Sequence, residues 1–172
     1  MVAAAEDTHG PRTWVGRWLR AGAQGQGLLA DVLDEELERN ADLQDPEVFQ
    51  AHEAVLLEAF CLMMQQRFRP DVDVRVITAW VDQVHQVAYK VDLLTGEALV
   101  RKALGEDIEV ETTVTDVIVT LPLLFARAYT ELYRDPINGP DEAALDAIIV
   151  EAERQAALKG FHAATAGDTP QT

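Results

Sequence analysis

The side chains whose types and spacing could do chemistry are Glu35 with Glu38 and Asp82 with His85. Residues three apart share a helix face, so each pair can aim two ligands at one divalent cation, and His52 is a further imidazole that could join them. The chemistry would be metal-assisted hydrolysis, the ion activating a water or clamping a phosphate. Both sets are short of partners. A magnesium site for a polyphosphate needs a second carboxylate pair on a facing helix, and no stretch carries one at the right spacing. An Asp–His pair needs a third protein ligand, which His52 supplies only if its helix is turned toward Asp82. His52-Glu53 opens a zincin motif, but Leu56 stands where the second histidine belongs. Nucleophile-elbow, Walker, dinucleotide-glycine and CxxC motifs are absent from the chain.

Two fragments resemble known families. Glu35 and Glu38 resemble the ExxE pair of helical nucleotide pyrophosphatases, and Trp14-Val15-Gly16 is similar to the Trp-x-Gly of small type VII secretion substrates. The second motif belongs in a turn between two long helices, and no helix-forming stretch precedes it here. Neither likeness extends beyond those residues, so neither implies a family.

Composition narrows the field of partners. Almost half of the 172 residues are hydrophobic and the net charge is -16, with a mean hydropathy of -0.05. A chain this long and this apolar buries a core. Its acidity repels phosphate backbones and anionic lipid, so direct binding to nucleic acid or membrane is not expected and a basic protein partner is. The charge is uneven, since residues 8 to 30 hold Arg12, Arg17 and Arg20 and no acid. Cys61 is alone, which excludes an intrachain disulfide and fits a reducing compartment. The start lacks the basic and apolar regions of a signal peptide, and no apolar run reaches ~18 residues. A cytoplasmic protein is expected.

The elements that must position these groups are helical. The most apolar stretch is Thr113 to Tyr133, where Val114, Val117, Ile118, Leu121, Phe125, Ala128, Tyr129 and Leu132 fall on one side at about 100° per residue. Thr113 and Asp116 form a capping-box start, and Pro122 predicts a kink within the run. The β-branched residues from Ile108 to Thr120 also permit a strand there. Substituting Leu124 or Ile118 by Asp is expected to abolish folding or assembly, because a buried unpaired charge costs several kcal/mol.

Before that stretch, residues 1–10 read as a flexible leader. Residues 11–27 are a Trp/Gly-rich segment in which Trp14, Val15, Trp18 and Leu19 share a face, broken by Gly16 and ending in a glycine hinge from Gly22 to Gly27. Leu28, Leu29, Val32, Leu33 and Leu37 predict a helix to Arg39. Asp45-Pro46 opens another, running to about Arg67. Asp73 caps a third, with Ile77, Trp80, Val81, Val84, Ala88 and Val91 inward. Thr95 and Glu97 introduce a short helix to Leu104 stopped by Gly105, and residues 106–111 form an acidic loop. Pro140 is expected to open the final helix, which Gly160 stops, leaving residues 161–172 as a mobile tail.

These elements predict an all-α, orthogonal bundle of five or six helices over residues 11–160, with a kinked central helix near 113–133. A homodimer is expected, because the central helix and the Trp segment offer more apolar face than a small domain hides. The functional expectation is a non-enzymatic regulatory or adaptor protein that binds another protein, with Trp14, Arg17 and Trp18 as contact residues. A helical small-molecule sensor, its pocket lined by His52, Met63, Trp80, Phe125 and Tyr129, is the second reading. A metal-dependent hydrolase using Asp82, His85, His52 or Glu35 with Glu38 is the third. No cofactor is expected.

Overall fold

A computed structural model describes residues 10–25, 31, 35, 39 and 43–165. The leader up to residue 9, the apolar stripe from Leu28 to Leu37 and residues 166–172 lie outside the described residues. Within them, helices α1 (Trp14–Ala23), α2 (Pro46–Arg67), α3 (Val74–Val87), α4 (Leu93–Ala103), α5 (Leu121–Tyr133) and α6 (Glu142–Leu158) make an all-α bundle. Two-residue strands β1 (Arg134–Asp135) and β2 (Gly139–Pro140) pair antiparallel between α5 and α6.

Short polar side chains start the helices by satisfying amides that lack a helical acceptor. Thr13 accepts from Gly16, Asp45 from Glu47, Asp73 from Arg75, Asp92 from Thr95 and Asp141 from Ala144. Each such cap stabilises by about 1 kcal/mol. Two differ from the sequence expectation. The fourth helix begins at Leu93 under Asp92, a turn earlier than Thr95 and Glu97 suggested. Pro140 is spent in β2, and Asp141 does the capping that the proline had been expected to introduce. Gly105 and Gly160, at φ +95° and +89°, terminate their helices in the left-handed region as expected.

The apolar stretch is helical from residue 114 to 133, so the strand reading of 108–120 is overturned. Its irregularity is a π-turn at Asp116–Thr120, in which the Leu121 amide donates to the Asp116 carbonyl five residues back. Pro122 explains the site of that turn. Its ring has no N–H for the carbonyl of Ile118 and would crowd it in a regular helix, and a wider turn just upstream relieves both demands. The capping box forms: Thr113 donates its amide to Asp116 at 2.9 Å, and Asp116 returns its own to the Thr113 hydroxyl at 3.1 Å.

α2 shares the centre with α5. No residue from Ala51 to Met64 is exposed, and α2 packs against α1, α4, α5 and α6. Phe60, Met63, Met64, Leu121, Leu124, Phe125, Leu145 and Ile149 are each at most 1% exposed. Burying side chains of that size contributes roughly 1.5–3 kcal/mol apiece. At the edge of this core, Phe68 meets Trp80 edge-on with ring centroids 5.3 Å apart.

Candidate functional site

The expected metal ligands do not gather. Asp82 accepts from Gln86 at 2.9 Å, while His85 turns its Nδ1 to the Val91 carbonyl at 2.7 Å and so pins the α3–α4 corner. Glu35 is helical and exposed and pairs with Arg39 at 3.2 Å, and Glu38 lies outside the described residues. Among the described residues no group of three or more His, Cys, Asp or Glu is placed to hold an ion.

The five residues proposed from sequence as pocket lining are all core side chains, met by different neighbours. His52 is 3% exposed and lies between Trp18 and Phe49, with ring centroids at 5.9 and 6.4 Å. Its Nε2 is buried without a hydrogen-bond partner, and burial holds its pKa down to about 4. Met63 and Phe125 are enclosed in the core. Trp80 donates its indole N–H to Glu131 at 3.0 Å. Glu131 also receives Arg67 at 2.7 Å and Arg127 at 2.6 Å; burial pushes its pKa up, and these donors more than offset that, leaving it lowered. Tyr129 donates to the Asp141 carbonyl at 3.2 Å and stacks on Tyr133, and burial raises its hydroxyl pKa.

The Trp segment is docked on its own domain. α1 packs on α2, α5 and α6, with Val15 and Leu19 buried, Trp14 and Trp18 partly covered and Arg17 exposed. Arg20 forms ion pairs with Asp146 and Glu142, and the Asp146 hydrogen bond raises its pKa. Gly22, assigned from sequence to a hinge, is inside α1. The residues after α6 are held as far as they are described: Trp14 donates its amide to Ala164 at 3.0 Å, and Thr13 bridges Thr165.

Among the described residues, one open groove with largely apolar walls lies between α1 and the π-turn. Trp18, Leu19, Gly22 and Ala23 line one wall and Ile118, Val119, Pro122 and Leu123 the other, enclosing about 280 Å³. The chain matches no protein-family model, no curated protein and no solved structure. The groove continues into an exposed apolar strip. Val114, Ile118 and Leu123 are 59%, 42% and 37% exposed, although sequence periodicity assigned Val114 and Ile118 to the buried stripe. The π-turn accounts for the strip: it lengthens one step of the spacing from four residues to five, turning Ile118 and Leu123 outward together while Asp116 and Thr120 stay buried, Thr120 donating to Asp116 at 3.2 Å. A second apolar exposure, Val87, Tyr89 and Leu94 at 79–80%, occupies the α3–α4 corner. No helix among the described residues is long and apolar enough to cross a membrane.

Proposed function

We propose that this chain is a cytoplasmic, non-enzymatic regulatory or adaptor protein that works by binding protein through the groove beside Trp18. The observation that supports this most is the strip of Val114, Ile118 and Leu123 running into that groove. Exposed aliphatic side chains beside a half-covered tryptophan make a surface that gains free energy when covered by a complementary one. The test is affinity purification of the full chain against two arginine substitutions. Proteins retained by the wild type are expected to be lost with Ile118→Arg and kept with Val150→Arg, a similarly exposed position on α6. Equal retention by both variants would reject this surface.

His52 supports a second reading, a helical sensor of small molecules, because its buried Nε2 has an unused hydrogen-bonding position beside Trp18. A thermal-shift panel of small hydrogen-bonding aromatic compounds tests it. A melting-temperature rise in the wild type that disappears in His52→Phe would support the sensor, and no rise with any compound would remove it.

A further inference from the structure

The geometry points to a second binding site, for a carboxylate on a short apolar body, in the dent between the end of α2 and α3. Arg67, Asp73 and Arg75 supply the charges of its lining and Val76, Ala79 and Trp80 an apolar wall, and it encloses about 470 Å³. That is room for a small ligand. The guanidinium carbon of Arg67 lies 4.8 Å from the ring centre of Phe68 and 5.8 Å from that of Trp80, and its Nε donates to Glu131 at 2.7 Å. Ring contacts and ion pair together hold the group in one orientation, while its two terminal nitrogens make no hydrogen bond among the described residues. A planar fork already fixed in place takes a carboxylate through two parallel N–H···O bonds at a smaller entropic cost than a mobile surface arginine.

The acids nearby are committed to other donors. Asp73 accepts the Arg75 amide at 2.8 Å as the cap of α3, and its two oxygens take the Arg75 guanidinium at 3.3 and 3.2 Å. Glu131 receives Trp80 at 3.0 Å and Arg127 at 2.6 Å as well as Arg67, so one carboxylate stands against two guanidiniums. One positive charge is left over for an incoming anion. The wall sets the rest of the ligand: Val76 is 50% exposed, and an apolar body laid over it gains free energy in proportion to the area covered. A phosphate has no such body, and its second charge meets the net -16 of the chain. A monoanionic carboxylate with an apolar group fits both the fork and the wall, whether it belongs to a free organic acid or to the C-terminus of a polypeptide.

The experiment is an NMR titration of the full chain, read at the indole N–H of Trp80, with three probes: 3-phenylpropionate, its neutral amide, and an N-acetylated tripeptide ending in phenylalanine with a free C-terminus. A saturable shift with a Kd below about 1 mM is expected from at least one of the two carboxylates and none from the amide. Arg67→Lys, which keeps the charge and loses the fork, is expected to weaken binding about tenfold. Val76→Asp, at an exposed position on the wall, should weaken it at least as much, and it decides alone if Arg67→Lys does not melt cooperatively. Arg154→Lys on α6 should change nothing. Tighter binding of the tripeptide would assign the site to polypeptide C-termini, and tighter binding of the free acid to a small molecule. The inference is overturned by the absence of a saturable shift with either carboxylate, by an amide that binds as well as the acid, or by an affinity unchanged in Val76→Asp.

Discussion

One oxygen of Glu153, on α6, takes both the amide of Thr13 at 2.8 Å and its hydroxyl at 2.7 Å, while both carboxylate oxygens accept the Arg12 amide at 3.0 and 3.1 Å. Thr13 in turn caps α1 through Gly16 at 3.0 Å. A single carboxylate thus holds the entrance of the first helix against the last one. Hydrogen bonds to a charged group are worth about 1.5–3 kcal/mol each where they are sheltered, and here they are partly so. Glu153→Ala is expected to lower stability by about 2–3 kcal/mol in urea titration. Its signature is local: amide exchange should speed up from Thr13 to Leu19 well before the rest of the bundle.

Gly16 exists for that carboxylate. A Cβ there would stand 2.3 Å from Glu153 Oε1, 3.0 Å from Pro11 Cβ and 3.1 Å from Ile149 Cγ2. In an exposed helix Gly→Ala stabilises by about 1 kcal/mol; at this position Gly16→Ala is expected to destabilise, because making room means moving a carboxylate that four donated hydrogen bonds hold in place. A urea midpoint equal to or above that of wild type would contradict the clasp.

Leu124 and Ile118 separate in the folded chain. Leu124 is 0% exposed and Ile118 42%, so the two Asp substitutions that sequence periodicity treated alike should differ. Leu124→Asp is expected to cost several kcal/mol and to prevent a cooperative thermal melt. The same change at Ile118 should leave the monomer's own stability within about 1 kcal/mol, measured in dilute solution where association does not contribute.

His52 predicts a pH dependence of stability. Its folded pKa, about 4, lies below the ordinary imidazole value of 6.5, so the unfolded chain binds the proton more readily. Its contribution is complete above about pH 6.5 and is lost as pH falls toward 4. The full difference amounts to roughly 3 kcal/mol. In urea titrations from neutral pH to pH 4, the unfolding free energies of wild type and His52→Phe should diverge progressively, approaching that amount, with the variant losing less stability on acidification.

Helix existence was legible from local chemistry. Asp45-Pro46, Asp73, Gly105 and Gly160 mark boundaries because capping and left-handed geometry depend on the residues at those positions and little else. The Thr113–Asp116 box is equally local. The candidate surface was not legible in this way. A 3.6-residue period placed Ile118 inside, and only the π-turn demanded by Pro122 in its packed surroundings carried it outside. Likewise Gly16 read as a weak point in a short helix until Glu153, 137 residues later, was brought against it.

The sequence by itself determined that this chain is helical, where most helices start and stop, and that it carries a net charge of -16. Those properties follow from neighbours in the chain and from composition. The tertiary structure decided that Trp18 and His52 share one contact, that no three acids or imidazoles among the described residues gather to hold an ion, and that Val114, Ile118 and Leu123 face outward together. The reason is that side-chain partnership depends on how helices are rotated against each other, and that rotation is set by packing contacts between residues far apart in sequence.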